Sequence, residues 1–244
     1  MPRFFVDKDK IGEDCIEISG QDAFHIARSL RMAVGDGITV CDGEGNEYIA
    51  VLSKIRDEEC LAEIKEKRIS ETELPVSVTL YMAYPKGDKL ETVIQKAVEL
   101  GADRIVPFES SRCIKRPKAE KNDKLLQRLN RIAEEAAKQC GRSKLARVEA
   151  PVSYKEMLSL AKEENLTLFC YEDEKQISIK NALDKVKEGD KIGIIVGSEG
   201  GFSPEEAALA TEGGAISVSL GKRILRCETA PLFAISCVAY KFEL

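Results

Sequence analysis

Leu220-Gly221-Lys222-Arg223-Ile224-Leu225-Arg226-Cys227-Glu228-Thr229-Ala230 stands between a short apolar stretch ending at Ser219 and an apolar run that reaches Phe242. A second stretch, Gly197-Ser198-Glu199-Gly200-Gly201-Phe202-Ser203, precedes it by about two elements of structure. That stretch follows Ile192-Gly193-Ile194-Ile195-Val196, a continuous apolar run of the kind a central strand shows. Both stretches therefore sit where a strand gives way to a helix. Two Gly-rich turns of this kind, close in sequence, form a crevice that backbone groups line. The carboxyl ends of strands in an open α/β sheet are where such folds bind ligands.

The first turn places Gly197, Gly200 and Gly201 within five residues, which permits unusual dihedrals and close backbone approach. Ser203-Pro204-Glu205-Glu206 then opens a helix: Ser203 suits the N-cap, Pro204 the first helical position, and Glu206 completes a capping box. The turn is either a backbone cradle for a small molecule or an ordinary tight connection. It contains no G-x-G-x-x-G and no G-x-x-x-x-G-K-[ST] motif. Ser198 is not in a G-x-S-x-G elbow either, because position 196 is Val. In the second turn Ile224 and Leu225 lie between Arg223 and Arg226. Thr229 is the expected N-cap of the last helix, and Pro231 falls in its first turn, where a missing N–H costs nothing. Arg223, Arg226 and Glu228 face a ligand or close the loop as a local salt-bridge cluster. The helix after them is apolar nearly all round, so it is buried in the core or at a subunit interface.

Outward from these turns the chain alternates strand and helix from Val76 onward. Expected strands are 76–83, 104–108, 166–171, 191–196 and 215–219. Expected helices are 89–100, 123–140, 154–163, 179–186, 204–211 and 230–242. This rhythm gives an α/β fold, a parallel sheet covered on both faces. Residues 1–70 read differently, as short alternating strands with a hairpin signal at Asp42-Gly43-Glu44-Gly45-Asn46 and one helix over 21–31. They suggest a small β-barrel, ending at the polar stretch Ser70-Glu71-Thr72-Glu73-Leu74-Pro75.

The 244 residues suit one large domain or two smaller ones. No apolar run approaches a membrane span, and the N-terminus is too quickly acidic for a signal peptide, so a cytoplasmic protein is expected. The eight cysteines include no C-x-x-C pair and read as free thiols. A single histidine, His25, removes His-rich metal sites. The net charge is −5, yet residues 112–147 carry 12 basic and 4 acidic side chains. That block is an electrostatic footprint for phosphate or a solvated helix face with a lysine-rich loop.

The two turns together resemble the cofactor loops of the SPOUT (α/β-knot) methyltransferases, and within them the RsmE family, which methylates N3 of a uridine in 16S rRNA. That family carries a G-P-E-G-G-[FL]-[ST] loop and an L-G-x-R-I-L-R-x-E-T-A loop in this order. The chain matches the second throughout and departs from the first at Ser198, where Pro is usual. The loss makes the loop less preorganised and adds a hydroxyl. Gln95-Lys96-Ala97-Val98-Glu99-Leu100-Gly101, Arg104-Ile105-Val106-Pro107 and Glu134-Glu135-Ala136-Ala137-Lys138-Gln139-Cys140-Gly141-Arg142 are similar to further family segments. So is His25-Ile26 with Leu30-Arg31 and Gly35-Asp36, although Phe24 stands where an Arg is usual.

The resemblance implies a PUA-like β-barrel RNA-binding domain over 1–72 and a SPOUT α/β trefoil-knot methyltransferase domain over 73–244. A knot is a rare exception to unthreaded topology. S-adenosyl-L-methionine is the implied cofactor, held by Gly197, Glu199, Gly200 and Gly201 of the first loop. Leu220, Gly221, Ile224, Leu225, Thr229 and Ala230 of the second would complete its site. Arg226 and Arg223 are the implied anion stabilisers, and Glu228 or Glu199 either removes the uridine N3 proton or orients an arginine. His25, Arg28, Arg31, Arg112, Lys115, Arg116 and Arg142 are the implied RNA-binding residues. A homodimer and no metal are expected. The competing readings are a SPOUT enzyme acting on another base or on ribose, and a non-catalytic RNA-binding protein.

Overall fold

The computed structural model describes residues 1–114 and 122–244. The chain divides into two compact units, Met1–Glu73 with Ala137–Leu145, and Leu74–Ala136 with Ala146–Leu244.

The first unit is a curled five-stranded sheet of β1 (Arg3–Phe5), β2 (Cys15–Ser19), β3 (Gly37–Cys41), β4 (Asn46–Ile55) and β5 (Glu59–Ile69), in the order β1-β3-β4-β5-β2. Strand β1 runs parallel to β3 and the other pairs are antiparallel. The period-2 alternation of β2 puts Ile16 and Ile18 inside, against Phe4, Ile38, Val40 and Leu52. The turn from β3 to β4 follows its sequence signal: Asp42 Oδ1 accepts the Glu44 and Asn46 N–H groups, and Gly43 and Gly45 take positive φ. The helix expected over 21–31 is shorter. Helix α1 covers Gly20–Phe24 and gives way to a wider turn over His25–Ser29, where the Leu30 N–H reaches the His25 carbonyl. Arg31 then takes a left-handed φ of 51°. The widened turn keeps Ile26 buried while His25, Arg28 and Arg31 remain exposed.

Residues 137–145 join this unit through buried ionic contacts. Glu47, 3% exposed, accepts from Arg3 Nη1 at 2.8 Å, from Arg68 Nε at 2.8 Å and from the Ser143 hydroxyl. Glu73 accepts the Ser143 and Lys144 N–H groups and both Nε and Nη2 of Arg142.

The second unit is built on a parallel sheet. Its strands are β6 (Ser77–Ala83), β7 (Arg104–Glu109), β8 (Arg147–Val148), β9 (Val152–Ser153), β10 (Leu166–Cys170), β11 (Lys191–Val196) and β12 (Ile216–Val218). The order is β12-β10-β11-β6-β7-β8, with β9 also on β7, and every pairing is parallel. The helices are α2 (Lys89–Glu99), α3 (Asn122–Cys140), α4 (Tyr154–Ala161), α5 (Ile179–Leu183), α6 (Pro204–Glu212) and α7 (Ala230–Glu243). Strands β8 and β9 are too short to leave a periodic signal. Helix α7 buries Pro231, Ala234, Ile235 and Val238 and packs on α2, α5, β6 and β11, whereas Phe233 and Tyr240 remain exposed. Among the described residues no helix is long and apolar enough to cross a membrane, and no group of three His, Cys, Asp or Glu could hold a metal ion.

Candidate active site

Because every strand of the second unit points the same way, its loops converge on one edge. The turns after β10, β11 and β12 and the start of α2 after β6 line a cavity of 460 Å³ there. That volume falls in the range of about 300–1,000 Å³ usual for small-molecule sites.

Phe202 anchors the first turn. Its ring is buried in the core, with its centroid 4.4 Å from that of Phe169 and 6.3 Å from that of Phe108. Between Val196 and this anchor the chain closes tightly, with the Gly201 N–H donating to the Ser198 carbonyl at 3.0 Å. Gly201 has φ +62°, and a Cβ there would lie 2.2 Å from Glu172 Oε1. A Cβ at Gly200 would lie 2.9 Å from that of Arg112. The left-handed φ disfavours any side chain at Gly201, and at Gly200 a side chain would displace the Arg112 backbone. Ser203 and Glu206 form the expected capping box at the start of α6. Glu206 also accepts the Ser111 N–H at 2.7 Å, so one carboxylate ties the loop after β7 to this helix start. The Ser198 hydroxyl is buried and has no hydrogen-bond partner among the described residues.

The second turn runs from Ser219 to Ala230. Gly221 takes φ +113°, beyond the reach of ordinary side chains. The expected cap is corrected here. Thr229 precedes α7 with helical dihedrals, and its side chain makes no capping bond. The helix instead grows out of a preceding turn, in which the Thr229 and Ala230 N–H groups donate to the Arg226 carbonyl.

Lys89, in the first turn of α2, joins the two loops. Its Nζ lies 2.9 Å from Glu199 Oε1 and 3.2 Å from Glu228 Oε2. Burial works to raise the Glu199 carboxyl, but Lys89 and nearby N–H groups outweigh it and hold the group below its usual value. The Glu228 carboxyl is also lowered, by its own N–H, by the Cys227 thiol and by Lys89. Burial, with the bond to Glu228, pushes the Cys227 thiol up to about 12, so it stays protonated and donates to that carboxylate at 3.2 Å. The local salt-bridge cluster weighed for the loop is therefore not formed: the cation on Glu228 is Lys89. Among the described residues Arg223 and Arg226 make no side-chain hydrogen bond or ion pair.

The cavity thus brings together Gly197, Glu199, Gly201, Leu220, Gly221, Arg223, Ile224, Leu225, Arg226, Glu228 and Ala230. Gly200 and Thr229 belong to the same two turns without lining it. Sequence reasoning passed over Lys89 and Glu172 as site residues. Each follows a strand of the sheet, β6 and β10, but only the strand order shows that these strands flank β11.

Of the expected RNA-binding residues, Arg112 is exposed beside the first turn, with Nη1 donating to the Gly200 carbonyl at 3.0 Å. His25, Arg28 and Arg31 are exposed on the first unit, and Arg28 forks onto Asp57. Lys115 and Arg116 lie outside the described residues. Arg142 does not fit the expectation. It is 3% exposed and committed to Glu73, so it holds the first unit together and offers no charge to a phosphate.

Residues 72–239 match the family described as an RNA methyltransferase domain, and 18–65 match the RNA methyltransferase PUA domain. Fold and site thus define an RNA methyltransferase. The chain is 34% identical over 251 residues to the ribosomal RNA small subunit methyltransferase E of Bacillus subtilis, covering 100% of this chain and 98% of that protein. It belongs to the ribosomal RNA small subunit methyltransferase E family. The crystal structure of the enzyme of that name from Neisseria gonorrhoeae, bound to S-adenosyl methionine, is similar with a TM-score of 0.88 and 31% identity over 99% of this chain and 98% of that one. A methyltransferase from Legionella pneumophila, in complex with the same cofactor, is similar with a TM-score of 0.85 and 28% identity over 98% and 97%.

Proposed function

We propose that this protein transfers the methyl group of S-adenosylmethionine to N3 of a uridine in the 16S RNA of the small ribosomal subunit. The observation that carries the reading is the cavity at the carboxyl edge of the sheet, walled by two Gly-rich turns and bearing two guanidinium groups with no protein partner among the described residues. The residues present fit the cofactor. The cavity is of the right size, Gly197 and Gly201 bring backbone to its wall, and Ser198 holds a buried hydroxyl in want of a partner. Gly197, Glu199, Gly200 and Gly201 would hold it from one side, and Leu220, Gly221, Ile224, Leu225, Thr229 and Ala230 from the other.

When bound, the cofactor supplies an activated methyl group on a sulfonium, and the protein's part is position and charge balance. Uridine N3 must lose its proton to attack. Arg226 and Arg223 are suited to stabilise the resulting anion or to hold the adjoining phosphate. Glu228 and Glu199, both held below the ordinary carboxyl range, are weak bases, and their contacts favour a positioning role for both. N3 is a Watson–Crick position, so the base must be unpaired or flipped.

In this reading residues 1–72 form the PUA-like RNA-binding domain, with His25, Arg28 and Arg31 toward RNA, and 73–244 form the methyltransferase domain, with Arg112 beside the cavity. Lys115 and Arg116 extend the basic block of the sequence. The strand order, with β12 outside β10 while α7 returns to β6 and β11, supports a knotted trace. The exposed Phe233 and Tyr240 of α7 support a homodimer. Cytoplasmic location follows from the RNA substrate. Tritium transfer from labelled S-adenosylmethionine to small subunits lacking the modification tests the whole reading. Label recovered in 3-methyluridine is expected. Label in another nucleoside would move the activity to a different atom, and cofactor binding without label to a different RNA.

A further inference from the structure

We propose that Lys89 is a positioning residue that keeps Arg223 and Arg226 available to RNA by occupying the carboxylates of Glu199 and Glu228. The inference rests on the methyltransferase reading and concerns how its charges are kept apart.

The cavity carries acidic groups from Glu172, Glu199 and Glu228 and basic groups from Lys89, Lys175, Lys222, Arg223 and Arg226. Glu228 is two residues from Arg226 and five from Arg223, on one short loop. A carboxylate left free on the same short loop would have a guanidinium within a few residues to pair with, and forked carboxylate–arginine pairs are among the stronger hydrogen-bonded pairs. Such a pair would cancel the positive charge that the substrate needs. The structure shows a different pairing. Lys89 reaches Glu228 at 3.2 Å and Glu199 at 2.9 Å, and the Cys227 thiol donates to the Glu228 oxygen as well. Glu199 accepts the Lys86 N–H besides, which holds it toward the start of α2. A lysine suits this place. It is a compact charge with three donors, able to serve carboxylates from two different loops, where the planar fork of an arginine would favour one. It also enters from α2, beside the central strands, and so depends on neither loop for its own position.

The test uses the full-length protein in four forms: wild type, Lys89→Met, Glu228→Gln and the double variant. Methyl transfer to unmodified small subunits is measured together with the salt dependence of binding to an oligouridylate. Circular dichroism confirms the fold of each form. Lys89→Met is expected to lower kcat/KM for the RNA about 100-fold, because Glu228 then pairs with Arg226. Its salt slope should fall by more than the ~0.7 that one lost phosphate contact accounts for. The double variant, with no carboxylate at 228, is expected to regain at least about tenfold in activity and to recover most of the slope. A double variant no better than Lys89→Met overturns the proposal. So does a loss in Glu228→Gln alone as large as in Lys89→Met, which also answers the case of a Lys89→Met protein that does not fold. If wild type transfers no label while the slope still falls and recovers, the catalytic reading fails and the role of Lys89 stands. If wild type is active and nothing is rescued, the reverse holds.

Discussion

Arg226 sits at the mouth of the cavity, on a loop whose backbone it also organises, since its carbonyl accepts the two N–H groups that start α7. Replacing the side chain leaves that carbonyl in place. Arg226→Ala should therefore fold normally and lose about 100-fold or more in methyl transfer, as removal of one anion-stabilising donor does elsewhere. Unchanged turnover would remove Arg226 from its assigned role. Glu47 tells the opposite story, of charge used for structure. Burial works to raise its carboxyl, but hydrogen bonds from Ser143, Arg3 and Arg68 prevail and hold it down at about 2. A carboxylate lowered on folding adds stability above its unfolded pKa of 4.5, and that stability is lost as pH falls through the folded value. The contribution at neutral pH is up to about 3 kcal/mol. Denaturant melts taken from pH 6 down to about 2 should show stability falling steeply below about 4.5 in the wild type. In Glu47→Gln that acid dependence should be flatter; an identical pH profile would refute it.

Among the elements, the turn between β11 and α6 is the most constrained. Its anchor is Phe202, its stop is the Ser203 capping box, and its glycines are pressed by Arg112 and Glu172. Gly200→Val needs space already filled by the Arg112 Cβ and carbonyl, so the turn that carries the cavity-lining Glu199 and Gly201 must shift. Calorimetry should find S-adenosylmethionine binding weakened at least about tenfold, while the melting temperature, set by the core, changes little. Normal affinity would mean the turn does not touch the cofactor. Much of this element was legible in the sequence, because capping boxes, Gly-rich turns and continuous apolar strands are local patterns. Two things were not. The helix over 21–31 breaks into a wide turn after Phe24, although its apolar spacing continues to Leu30. The partner of Glu228 lies 139 positions away at Lys89, and sheet order alone brings them together. A sequence reading that weighs charges loop by loop pairs Glu228 with its neighbours and misses the lysine. Arg142 misled in the same way: its basic block is real, but burial against Glu73 is a tertiary fact.

At the scale of the molecule, the apolar helix α7 is only partly covered. Its inner residues meet the sheet, while Phe233 and Tyr240 remain 39% and 71% exposed. Two large aromatic side chains on one helix face support self-association. If the proposed homodimer packs on this face, the wild type should sediment as a dimer and Phe233→Asp combined with Tyr240→Asp as a monomer in analytical ultracentrifugation; a monomeric wild type, or an unchanged sedimentation coefficient in the variant, would refute it.

The N-terminal unit is discontinuous in the chain, since Arg142 and Ser143 supply partners to Glu73 and Glu47. A ribosome translating this message delivers Glu73 long before Arg142, the guanidinium that pairs with it, and Glu47, already met by Arg3 and Arg68, long before the Ser143 hydroxyl. Residues 137–145 act as a late clasp, and the sheet that begins the protein waits for its middle to be made. A fragment cut at residue 73 would leave Glu73 without the Arg142 guanidinium and Glu47 without the Ser143 hydroxyl, while Glu47 kept Arg3 and Arg68. The natural seam for dividing this protein is thus not a point along the sequence, and a workable N-terminal piece would need the clasp stitched back in.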